Sequence, residues 1–191
     1  MRLFVALDLP DEARRKLAGV IKQLQPKYRA AKWVRPEAMH LTLKFIGHAI
    51  ADGDTQKLAD LQAALATVHS DRPVEAHYRG VGFFPNSRRP RVLWCGVVAS
   101  HNLSKIAADI EAALAPLAIP REERTFVPHL TLARIGSPAG TEPLVLAAEE
   151  LQSADFGSSR ETQFYLFESK TKPSGAEYKK ISTFTFAKGS Q

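Results

Sequence analysis

A single cysteine in 191 residues, Cys95, excludes an internal disulfide framework and fits a reducing, cytoplasmic setting. No apolar run reaches the roughly 18 residues that a membrane span needs, so no membrane partner is expected. The opening Met1-Arg-Leu-Phe-Val-Ala-Leu-Asp-Leu-Pro10 has the basic start and apolar stretch of a secretion signal. It is too short for one and Asp8 interrupts it, which favours a first strand. Cysteine and histidine nowhere adopt zinc-ligand spacing, and there is no glycine-rich phosphate loop and no serine or cysteine nucleophile signature. No stretch has linker composition. These absences leave one domain over residues 1–191 with no metal site expected, and the chain is taken as a monomer.

What is present is ordinary in bulk. The 45% hydrophobic and 24% charged fractions are those of a soluble globular chain, and the net charge of +6 favours anionic partners only weakly. Residues 2–8 read as a strand, and Pro10-Asp-Glu12 opens a helix whose Ala13, Leu17, Val20, Ile21 and Leu24 follow helical spacing up to Pro26. A short strand is expected around 32–34, a helix from Asp52 to about Thr67, and strands at 73–84 and 91–98 joined by the turn 85–90. A helix over Asn102 to Ala115 stops at Pro116, and strands near 162–169 and 178–186 close the chain. Strands and helices mix without strict alternation. The expected class is α+β with antiparallel pairing, in a bilobal, pseudo-twofold arrangement of two sheets flanked by helices.

One pattern stands out. His40-Leu-Thr-Leu-Lys-Phe-Ile-Gly47 recurs at six of eight positions as His129-Leu-Thr-Leu-Ala-Arg-Ile-Gly136, 89 residues later. In a strand successive side chains face opposite ways, so His40 and Thr42 share one face while Leu41 and Leu43 take the other. His129 and Thr131 repeat the arrangement. Packing does not require the same polar pair twice, whereas acid–base chemistry at phosphorus does. One neutral imidazole takes a proton from the attacking oxygen and one imidazolium gives a proton to the leaving oxygen. Threonine hydroxyls donate to the non-bridging oxygens. A strained 2′,3′-cyclic phosphate at an RNA end suits such metal-free chemistry. By parity Arg134 falls with the leucines and needs a bulge to reach the cleft, while Lys44 falls with His40 and Thr42, on a rim or in solvent. Cys95, Trp33, Trp94, Phe83 and Phe84 read as core. Arg88, Arg89 and Arg91 form a basic turn, and Lys170, Lys172, Lys179 and Lys180 a second basic group. Either can track an RNA backbone.

The paired His-Leu-Thr-Leu segments resemble the motifs of the two-histidine phosphoesterase superfamily, and in particular the bacterial RNA 2′,3′-cyclic phosphodiesterases, also called 2′–5′ RNA ligases. Arg2-Leu-Phe-Val-Ala-Leu7, Trp33-Val-Arg-Pro36, Phe83-Phe-Pro85, Arg91-Val-Leu-Trp94, Phe126-Val-Pro-His129 and Leu166-Phe-Glu-Ser-Lys170 through Gly175-Ala-Glu-Tyr178 extend the likeness along nearly the whole chain. The resemblance implies an active site between two lobes, no cofactor, and hydrolysis of an RNA end, such as a tRNA fragment, to a 2′-phosphomonoester. It implies that His40 donates a proton to the departing 3′ oxygen, that His129 accepts one from water, and that Thr42, Thr131 and Arg134 bind phosphate. Three alternatives remain open at this level. They are 2′–5′ ligation, hydrolysis of small cyclic nucleotides or 2′–5′ oligonucleotides, and a non-catalytic RNA-end-binding module.

Overall fold

The structure, a computed structural model, describes residues 1–172 and 175–188, with the side chains of 171, 172 and 175 left out. The Lys172 side chain of the second basic group therefore lies outside the described residues.

The chain runs β1 (Leu3–Leu7), α1 (Asp11–Leu24), β2 (Lys32–Trp33), β3 (Leu41–Gly47), α2 (Thr55–Leu65), β4 (Val74–Phe84) and β5 (Val92–Ala99). It continues with α3 (Asn102–Leu114), β6 (His129–Arg134), α4 (Glu142–Glu149), β7 (Asp155–Glu161), β8 (Gln163–Lys172) and β9 (Gly175–Thr185). The class is α+β and every strand pair is antiparallel, as the mixed order of elements implies.

The expected pair of sheets is instead one continuous nine-stranded sheet, in the order β7-β4-β5-β6-β3-β1-β8-β9, with β2 beside β6. Its centre is the β6–β3 contact, where Leu41 pairs with Leu130. Four strands follow on each side of that contact, β6-β5-β4-β7 one way and β3-β1-β8-β9 the other. The two copies of the repeat thus become the two central strands, running antiparallel. One bridge replaces the expected break between sheets because the leucines of both copies enter a common core, Leu41 at 1% and Leu130 at 0% exposure.

The main core gathers Leu3, Val5 and Leu7 of β1 with Leu17 and Leu24 of α1, Leu61 of α2 and Ile106 and Ile110 of α3. β1 is buried on its other face too, where Phe4 and Ala6 form a small separate cluster with Phe167, covered by Tyr165 and Tyr178. This accounts for the unbroken apolar run Leu3–Leu7. Helix α2 starts three residues later than the sequence suggests, because Asp54 is its cap and accepts the Lys57 N–H at 3.0 Å. Two elements were not anticipated. Helix α4 has only eight residues, and β7, Asp-Phe-Gly-Ser-Ser-Arg-Glu, has weak strand propensity and is held at the sheet edge by its ladder to β4. Cys95 is fully buried, as expected, and burial pushes its thiol up to about 12.

Candidate active site

Because Leu41 and Leu130 face the core, their neighbours His40, Thr42, His129 and Thr131 face the opposite side of the two central strands. The antiparallel sense sets each motif's threonine toward the other motif's histidine. Four of the five residues singled out by sequence therefore share one patch, and all four are half-buried.

The two histidines are held alike. His40 Nδ1 lies 2.8 Å from the carbonyl oxygen of Ala38, and His129 Nδ1 lies 2.7 Å from that of Val127. A carbonyl only accepts, so each Nδ1 carries the hydrogen, and neither Nε2 has a hydrogen-bond partner among the described residues. A neutral ring in this tautomer offers Nε2 as a base, and a protonated ring offers it as an acid. Neither Thr42 nor Thr131 commits its hydroxyl to a protein partner among the described residues.

Their surroundings differ. His40 leans on Phe4 with ring centroids 4.5 Å apart and meets the edge of Tyr178 at 5.1 Å. A cavity of about 150 Å³ beside it is lined by Asp8, Arg14, Met39, Tyr178 and Lys180. Asp8 there accepts hydrogen bonds from Arg14 and Lys180, each at 2.6 Å. Burial pushes the His40 pKa down to about 4, opposed by the Ala38 bond and the Asp8 charge and assisted by the Arg134 and Arg14 charges. His129 has Phe84 edge-on at 5.0 Å, and Phe84 in turn meets Trp94 at 5.2 Å. Phe83 is core as expected, and Trp33 packs partly buried against it. Phe84 instead walls the second histidine, with Trp94 packed behind it. A larger cavity of about 190 Å³, between β4 and α4, touches neither histidine.

Arg134 reaches this face through a bulge. Trp94 pairs with Thr131 and Leu93 with Ala133, so Leu132 is an extra residue that reverses the alternation. Ala133 turns into the core and Arg134 turns outward, on the side of His129 and Thr131. The first motif does the same. Ala6 pairs with Thr42 and Val5 with Lys44, leaving Leu43 extra. Lys44 therefore lies neither on a rim nor in solvent. It is 3% exposed and paired with Glu111 of α3 at 2.8 Å. The residue that turns outward is Phe45, 51% exposed and 6.4 Å from the Phe4 ring. Strand alternation alone does not single out Phe45. Its signal was there, since it stands five residues after His40 as Arg134 stands five after His129. His48, His69 and His101 are exposed, and His77 meets Asp155 at 2.7 Å.

Two central strands thus carry matched histidines and, among the described residues, uncommitted threonine hydroxyls on one face. Residues 7–94 and 97–178 match the family model described as LigT like Phosphoesterase, and the chain belongs to that family. It is 31% identical over 184 residues to a protein of Methanothermobacter thermautotrophicus named RNA 2′,3′-cyclic phosphodiesterase, covering 96% of this chain and 98% of the relative. It is 34% identical to a Thermus thermophilus protein of the same name, covering 97% and 90%. Among solved structures, one from Thermus thermophilus aligns with a TM-score of 0.79 at 30% identity, over 97% of this chain and 98% of that one. Escherichia coli LigT, solved with 3′-AMP, aligns at 0.77 with 25% identity over 97% of each chain. No helix among the described residues is long and apolar enough to cross a membrane.

Proposed function

We propose that this protein hydrolyses RNA ends carrying a 2′,3′-cyclic phosphate, including those of tRNA fragments, leaving a 2′-phosphomonoester. The observation that carries this reading is the pair of histidines on antiparallel central strands, each with Nδ1 fixed on a carbonyl and Nε2 free. The names of the relatives support the substrate.

The cyclic phosphate binds between the two motifs. Thr42 and Thr131 donate to its non-bridging oxygens, and Arg134 offsets the charge that grows there. His129 Nε2 takes a proton from water, and the water oxygen forms the new bond to phosphorus. The bond from phosphorus to O3′ breaks, and that oxygen receives the proton held on His40 Nε2. Each transfer contributes about 10²–10⁴ in rate. Phe45 presents its ring to the terminal base, because unpaired RNA ends are gripped by stacking.

One observation favours a second assignment. With a pKa near 4, His40 is unprotonated in the free protein at neutral pH, which suits a base better than an acid. In the first assignment the bound anionic phosphate offsets that desolvation and lets His40 carry the proton.

The test uses a short RNA with a terminal 2′,3′-cyclic phosphate, in chelator, with wild type, His40→Ala and His129→Ala. A 2′-phosphate product from wild type alone is expected, and failure of well-folded wild type to turn over would refute the reading. Repeating it with sulfur at the bridging 3′ position separates the roles, because a thiolate leaves without an acid. Rescue of His40→Ala assigns His40 as donor, and rescue of His129→Ala reverses the assignment.

A further inference from the structure

Charge is unevenly placed on this chain. Residues 28–36, 79–108 and 125–141 contain no aspartate or glutamate, although they are far apart in sequence. The sheet brings them together. Lys32 of β2 and Val92 of β5 both pair with Arg134 of β6, one from each side, and the Ile135 N–H donates to the Arg91 carbonyl at 2.8 Å. Arg29, Lys32 and Arg35 from the first stretch, Arg88, Arg89 and Arg91 from the second, and Arg134 from the third gather at one end of β6. All seven are exposed. They exceed the net charge of +6 carried by the whole chain, so the positive field is local to this strip.

The strip is also poorly compensated. Arg29, Lys32, Arg88, Arg89 and Arg134 form no ion pair among the described residues. Arg91 donates to the Gly136 carbonyl at 2.5 Å and Arg35 to the Ala176 carbonyl at 2.8 Å, bonds that do not neutralise a charge. The β4–β5 turn is held by Asn86, whose Oδ1 accepts the Arg88 and Arg89 N–H groups at 3.0 and 3.1 Å. The second basic group of the sequence differs, since Lys170 pairs with Glu168 at 3.5 Å and Lys180 with Asp8 at 2.6 Å.

We infer that the part of this strip beyond Arg134 holds the backbone phosphates of the nucleotides that precede the reacting 3′ end. The inference rests on the function proposed above. Lys32 and Arg134 are cross-strand partners and so share a face, and Arg134 stands on the side of His129 and Thr131. Because Leu132 is a bulge, Arg134 is two ladder positions from Thr131, about 7 Å along β6 at the usual strand rise. An RNA whose last phosphate sits between the motifs must leave in the 5′ direction, and the strip gives it a cationic path on that face. Phosphate contacts carry affinity without reading bases, so the path tolerates any upstream sequence.

The test compares kcat/KM for a 2′,3′-cyclic mononucleotide and a cyclic-ended hexanucleotide, using wild type, Lys32→Gln, Arg88→Gln with Arg89→Gln, and the triple variant. These side chains are exposed and form no hydrogen bond or ion pair among the described residues. Wild type is expected to favour the hexanucleotide by about tenfold or more at low salt. The triple variant should lose most of that preference and keep mononucleotide turnover within about twofold. Its log kcat/KM against log salt should flatten by about 0.7 for each phosphate no longer held. Equal use of both substrates by wild type overturns the strip and leaves the phosphodiesterase reading standing, as does a triple variant that slows both equally or neither. Wild type inactive on both substrates overturns the two together.

Discussion

Leu43 and Leu132 occupy the same place in the two copies of the repeat, and each is the extra residue of a bulge. Beyond each bulge the alternation reverses, which sends Lys44 and Ala133 into the core and Phe45 and Arg134 outward. Several expected outcomes depend on this geometry and on the contacts around it.

Arg134→Ala removes a cation from the proposed phosphate site and should lower kcat/KM about 10²–10³-fold, as loss of an oxyanion donor does. Because the Arg134 charge lowers the His40 pKa, its removal should raise it. Titration of the His40 imidazole by NMR in wild type and variant checks the second point. A pKa that fell, or did not move, would place Arg134 away from His40.

The depressed His40 pKa also makes stability pH-dependent. The folded value is about 4 and the ordinary value 6.5, so the unfolded chain binds the extra proton between those limits. His40 therefore contributes no stability change above pH about 6.5 and a progressive loss as pH falls toward 4. The loss is at most about 3 kcal/mol. Urea unfolding at pH 7 and 4.5 should show a smaller drop for His40→Gln than for wild type.

Lys44 donates to Glu111 and, at 2.5 Å, to the Pro120 carbonyl, and Glu111 Oε1 accepts the Glu122 N–H at 3.3 Å. Removing one partner leaves a buried charge, so Glu111→Ala should destabilise by about 3–5 kcal/mol. Replacing both, as Lys44→Met with Glu111→Leu, should restore much of that loss. Denaturant midpoints of the single and double variants give the comparison.

Gly82 lies under the indole of Trp94, where an added Cβ would stand 2.5 Å from the ring. Gly82→Ala should therefore displace Trp94, and with it Phe84 and the wall of His129. A stability loss of about 1–3 kcal/mol is expected. Turnover should fall more than substrate affinity, which a separate reading of kcat and KM detects.

The parts of the molecule legible in the sequence are those where one local rule suffices. His-Leu-Thr-Leu placed both histidines and both threonines on one face because alternation holds over those four residues. It fails beyond them, at Lys44 and at Arg134, because one inserted residue in a ladder leaves no mark in composition. α1 announced itself through Ala13, Leu17, Val20, Ile21 and Leu24, all buried. β7 did not, because Phe156 is its one buried side chain and the strand exists through pairing with β4. The gathering of Lys32, Arg134 and Arg88 was equally hidden, since charge clusters across a sheet only once the register is known.

The bulges give the paired motifs a head and a tail. A phosphate set between His40-Leu-Thr and His129-Leu-Thr meets nearly the same donors from either side, so the motifs by themselves leave two opposite orientations nearly equal in energy. Phe45 at one end and Arg134 at the other remove that degeneracy, one with an exposed ring and the other with an exposed cation. In the proposed reaction, the regiochemistry of ring opening is thus written outside the repeat's matching residues, at a position where its two copies differ.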